Sequence, residues 1–153
     1  MAALSFARVL ASGFGAGFFP VASGTFASLI AVVVGAALLW LSPFALPVAV
    51  LLAAFGGVWA VGAAHAGDDP GWVVIDEFAG QWVAMLALAR PALAGLVASF
   101  VLFRLLDIVK PGPVAWADRQ HGPAAVMADD LIAGVISAGI LWAVQSRWPG
   151  VLG

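Results

Sequence analysis

Between Arg8 and Asp68 the chain carries no Asp, Glu, Lys or Arg. A helix on the surface of a soluble domain needs a polar face away from its core. Within this stretch two apolar runs, Thr25 to Leu41 and Val48 to Ala66, have none; Ser42-Pro43 and Pro47 separate them, and His65 stands near the end of the second. A helix crosses the hydrocarbon core with about 20 apolar residues and at the short limit about 17. Both runs reach that limit. The rest of the chain agrees: only 9% of residues are charged, against about 25% in an average chain, and the mean hydropathy is +1.11. The expectation is an all-α integral membrane bundle. At 153 residues it has room for one domain, 1–153.

Three further apolar runs are shorter. Trp72 to Ala89 carries Asp76-Glu77 near its start and ends at Arg90-Pro91; Ala92 to Leu106 and Leu131 to Val144 complete the set. The architecture predicted is therefore about five hydrophobic helices plus a short N-terminal helix, Ala2 to Leu10, on the membrane surface. Val21-Ala22-Ser23 has the look of a signal-peptide cleavage site, but the glycines of the preceding run and Pro20 weaken it as a signal helix. Gly67-Asp68-Asp69-Pro70-Gly71 reads as a turn, and Ser23-Gly24-Thr25 as the N-cap of the first long helix. Seven Trp suit membrane interfaces. A net charge of -2 gives no basic field for nucleic acid, and the absence of Cys excludes disulfides, thiol catalysis and zinc-thiolate sites.

The polar residues are not scattered. The stretch from Phe103 to Gly134 holds seven of the 14 charged residues. If the five runs alternate across a membrane, residues 1–24, 67–77 and 107–130 share one side, and every charged motif lands there. Lys and Arg favour the cytoplasmic side, which makes that side the cytoplasmic one. Several carboxylates at one spot cannot all ionise without a cation among them, and oxygen ligands select Mg²⁺, Ca²⁺ or Mn²⁺. Asp76, Glu77, Asp107, Asp129 and Asp130 are the acids. Arg104, Lys110 and Arg119 are the cations, with Thr25, Ser28 and the glycine loop as hydroxyls and amides. A divalent ion beside Lys and Arg suits phosphoryl transfer. Taken singly, each acid also fits a helix cap, and His65 and His121 fit packing or loop roles.

Three motifs carry a resemblance. Val74-Ile75-Asp76-Glu77-Phe78-Ala79-Gly80, Phe103-Arg104-Leu105-Leu106-Asp107-Ile108-Val109-Lys110-Pro111-Gly112-Pro113 and Asp129-Asp130-Leu131-Ile132-Ala133-Gly134 closely resemble the phosphatidylglycerophosphatase A family of bacterial membrane lipid phosphatases. The resemblance implies a Mg²⁺-dependent enzyme of the bacterial inner membrane. Its substrate would be phosphatidylglycerophosphate among membrane lipids, and its products phosphatidylglycerol and inorganic phosphate. On that reading Glu77, Asp107 and Asp130 hold Mg²⁺, with Asp76 and Asp129 as further ligands, ligands of a second ion, or a base for water. Lys110 and Arg104 bind phosphate, and the helix start at Thr25, with Ser28, supplies hydroxyls and amides. Two rivals are an ion or proton transporter using the acids as a relay and another membrane lipid phosphotransferase. The first would place acids near the midplane and show internal repeats; the second would place its acids on one helix.

Gly80 and Gly134 each follow an acid by four residues, so each sits one turn beneath it on the same face. They are expected to let two helices approach closely, with Ile136 facing outward.

Overall fold

The computed structural model describes residues 5–67 and 70–153, and the regular structure among them is helical. The helices are α1 (Phe6–Ala11), α2 (Ser23–Leu41), α3 (Ala45–Ala63), α4 (Ile75–Met85), α5 (Leu93–Val109), α6 (Gly112–Asp118) and α7 (Pro123–Arg147). Each of the five apolar runs overlaps one of α2, α3, α4, α5 and α7, with shifted ends. Only α2, α3 and α7 are long and apolar enough to cross a membrane.

The bundle is built around its shortest hydrophobic helix. In α4 every residue except Trp82 is buried, Asp76 and Glu77 included. The helix packs against α2, α3, α5 and α7. Trp82 Nε1 donates to the Ala31 carbonyl at 2.8 Å, fixing α4 to α2. On the other flank α4 and α7 meet backbone to backbone. A Cβ at Gly80 would lie 2.5 Å from the Asp130 carbonyl oxygen, and one at Gly134 would overlap the Gly80 carbonyl. Small residues at a crossing permit such contact. Outward faces stay apolar, as lipid requires: Leu51, Leu52 and Phe55 of α3 are more than half exposed.

Several local expectations are corrected. The fifth helix starts at Pro123, not Leu131, so it has 25 residues and is long enough to span. Proline at its first position lacks only an N–H that no helical carbonyl would have accepted. α2 begins at Ser23, and its N-cap is Ala22 in the left-handed region (φ 49°) without a side-chain cap. The Ser23 hydroxyl instead donates to the Gly71 carbonyl at 2.7 Å. α6 is a short helix that none of the apolar runs contains. Ile136 is half-buried against the Phe103 and Val114 cluster, and its neighbour Val135 is the outward residue. The N-terminal helix runs over Phe6–Ala11, with Ser5 as its cap; residues 1–4 and Asp68-Asp69, parts of the predicted surface helix and turn, lie outside the described residues.

Candidate active site

At one end of the bundle, where α2, α4 and α7 begin and α5 ends, a cavity of about 440 Å³ opens. Its lining brings together the acids Asp76, Glu77, Asp107, Asp129 and Asp130, the cations Arg104 and Lys110, and the α2 start at Ser23, Gly24 and Thr25. Three separate sequence segments therefore meet at one place. His65 and Arg119 do not line it, and His121 lines a smaller neighbouring hollow with Asp118 and Asp129.

Asp76 and Glu77 stand in the first turn of α4, where a carboxylate suits the helix dipole, but the α7 pair does not. Asp129 and Asp130 are the seventh and eighth residues of α7, beyond its first turn, where the helix dipole has little left to offer a carboxylate. Asp130 is 3% exposed, and its Oδ2 is buried with no hydrogen-bond partner among the described residues. Such an atom costs about 1–3 kcal/mol or more unless something binds it. One carboxylate oxygen each from Asp107, Asp129 and Asp130 lies within 4.8 Å of the others. Five carboxylates face two cations across the cavity. An all-oxygen set with excess negative charge fits a hard divalent cation.

The remaining residues hold this arrangement. Arg104 Nη1 reaches Glu77 Oε2 at 2.5 Å and Asp107 Oδ2 at 2.8 Å, joining α5 to α4. Ser28, expected to offer a phosphate-binding hydroxyl, is fully buried and outside the cavity lining; its Oγ donates to Glu77 Oε2 at 2.8 Å. Asp76 Oδ1 accepts the Glu77 backbone N–H at 3.0 Å. Gly24 leaves α2 close enough that any Cβ there would overlap Glu77 Oε1. Lys110, the left-handed C-cap of α5 (φ 49°), reaches Asp118 Oδ1 at 2.5 Å and Asp129 Oδ2 at 2.6 Å. Burial works against its charge, but the hydrogen bonds and charges of Asp118 and Asp129 outweigh burial and raise its pKa. Lys110 thus stays protonated across the physiological range.

Asp118 is not among the site residues expected from sequence; it lies on α6, between the motifs. Asp118 falls at the end of a Pro-Gly-Pro-Val-Ala-Trp-Ala-Asp run with proline at a helix start, and that was the available signal.

Ser28→Ala is expected to leave the fold intact and to weaken binding of a divalent cation to the purified protein by about 10-fold, the lower end of the effect of losing an orienting hydrogen bond around a metal site. A titration of Mg²⁺ or Mn²⁺ binding checks this; an unchanged midpoint would mean that the hydroxyl does not orient Glu77.

The sequence pattern described as "Phosphatidylglycerophosphatase A" matches residues 9–145. Over 150 residues the chain is 40% identical to the phosphatidylglycerophosphatase A of Escherichia coli, covering 95% of this chain and 87% of that protein. It is 41% identical over 149 residues to a Bacteroides thetaiotaomicron protein described provisionally as a phosphatidylinositol-3-phosphatase, covering 92% of each. The phosphatidylglycerophosphatase A of Haemophilus influenzae is 31% identical over 147 residues, 90% of this chain and 88% of its own length. No solved structure matches the chain.

Proposed function

The chain belongs to the phosphatidylglycerophosphatase A family and is a phosphatase; we propose that it hydrolyses the terminal phosphate of phosphatidylglycerophosphate in a Mg²⁺-dependent reaction at the cytoplasmic face of the bacterial inner membrane. The observation that carries this reading is the buried, unpartnered Asp130 oxygen beside Asp107 and Asp129 in an acid-rich cavity at one end of an apolar bundle. A relay for ion transport would want acids along the bundle rather than gathered at its end.

Asp107, Asp129 and Asp130 would hold Mg²⁺, with Asp76 and Glu77 beside them. Bound there, the ion supplies Lewis-acid charge to the phosphoryl oxygens. Lys110 and Arg104 offset the remaining phosphate charge, and Thr25 offers a hydroxyl from the α2 start. Asp76 accepts the proton of the attacking water. The water oxygen bonds to phosphorus, the bond from phosphorus to the glycerol oxygen breaks, and that oxygen takes a proton from solvent water to leave as the lipid hydroxyl, while Asp76 returns its own proton to solvent. Asp118 keeps Lys110 at the rim of the cavity.

A second headgroup has its own support in the Bacteroides relative. Phosphate release from purified protein should therefore be measured on phosphatidylglycerophosphate and on phosphatidylinositol 3-phosphate in parallel, with and without EDTA. The expected result is faster release from the first lipid, abolished by EDTA and restored by Mg²⁺. Preference for the inositol lipid would reassign the substrate, and EDTA-resistant turnover would reject the metal.

A further inference from the structure

A lipid phosphatase must hold a headgroup at the membrane surface while the tails stay in the bilayer. The cavity is walled on one side by α2 and α5, and the Arg104 side chain of α5 reaches across to α2 there: a Cβ on Gly24 would lie 3.6 Å from Arg104 Nη1. Further from the site an apolar groove of about 380 Å³ lies between the same two helices.

The groove is two matched helical stripes. On α2 it is lined by Leu29, Val32, Val33 and Ala36, spaced i, i+3, i+4, i+7. On α5 the lining residues Leu93, Leu96, Val97 and Phe100 repeat that spacing. Such positions share one face. The stripes also run into the cavity. Thr25 lies four residues before Leu29, and Arg104 and Asp107 lie four and seven after Phe100. The face that lines the acidic cavity thus becomes the face that lines the groove, which ends about 16 Å below Thr25 and Arg104 by helix rise. The other apolar hollow, between Leu39, Pro43 and Leu86, lies at the opposite end of the bundle and has no such continuity.

We infer that the α2–α5 groove holds an acyl chain of the lipid whose phosphate occupies the acidic cavity, so that substrate is taken from the side, out of the bilayer. This rests on the lipid phosphatase reading above. Val33 and Val97, 71% and 52% exposed, would then face the bound chain rather than bulk lipid.

The test uses wild-type protein in vesicles of phosphatidylcholine containing phosphatidylglycerophosphate with a photoactivatable group in one acyl chain. Cross-links mapped by mass spectrometry should concentrate on the groove stripes over Leu51, Leu52 and Phe55 of α3, and the same acyl chain on phosphatidylcholine should show no such preference. Even labelling of both surfaces by the phosphorylated lipid overturns the proposal, whether or not the protein turns that lipid over; absent turnover by itself counts against the substrate reading. As a second measure, Val97→Trp should lower kcat/KM on the long-chain lipid by about tenfold or more and leave a dibutanoyl analogue unchanged, because remote binding is lost while the chemistry is kept. Unchanged rates on both, or equal losses on both, count against the groove. The natural chain has no Cys. A Val33→Cys protein that crosses to a disulfide dimer in the membrane would assign the groove to a second copy instead.

Discussion

Asp107→Asn and Asp130→Asn are each expected to lower metal-dependent phosphate release by at least about 10²–10³-fold, the scale for removing one group that stabilises transition-state charge. Both swaps keep shape and remove one negative charge. Asp107 comes from α5 and Asp130 from α7, and their oxygens share a 4.8 Å cluster with Asp129. If the carboxylates were structural, the neutral amides would hold the fold equally well and turnover would survive. Asp130 sharpens the contrast, because its Oδ2 has no hydrogen-bond partner to lose. Removing its charge should therefore leave thermal stability of the metal-free protein level or higher while turnover falls. Phosphate release and a melting curve on the same preparation decide it. Near-normal turnover in both variants would reject the cluster as the reaction centre.

The sequence made the membrane bundle and the shared end legible for different physical reasons. Runs without charge can satisfy their backbone in lipid only as helices, so α2 and α3 followed from composition. The gathering of Asp76, Asp107 and Asp130 was expected from a count of five crossings; the three acids do line one cavity, although α4 and α5 are not long and apolar enough to count as crossings. Chain-local features were harder to read. α7 starts eight residues earlier than its apolar run: Asp129 and Asp130 broke the run in sequence, but Val126 and Met127 before them are buried in the core. Ser28 looked like a ligand hydroxyl but is fully buried against Glu77, because it lies one turn below Thr25 and inside the bundle. The groove of Leu29 to Ala36 was invisible as a site: in an apolar helix every face has the same chemistry, and only the separation from α5 distinguishes one.

Gly134→Leu is expected to damage the site without touching a ligand. Any side chain at Gly134 must displace the Gly80 carbonyl, and it would also press on Val83, whose Cβ would lie 3.0 Å from the new Cβ. Overpacking of this kind typically costs about 1–3 kcal/mol, which a bundle can survive by separating α4 from α7. Asp130 stands one turn from Gly134 on α7, and its carbonyl lies against Gly80. Separation therefore moves Asp129 and Asp130 together, away from Asp107 on α5. The half-maximal metal concentration should rise by about 10–100-fold, as when the support of a metal ligand is lost. Val135→Phe is the matched control: Val135 is 61% exposed on the same helix, so the added ring meets lipid and the midpoint should stay near that of the unmodified protein. Gly80→Leu should behave like Gly134→Leu, because the two residues form one contact. Equal metal midpoints for Gly134→Leu and Val135→Phe would show that the α4–α7 crossing does not set the distance between the acids.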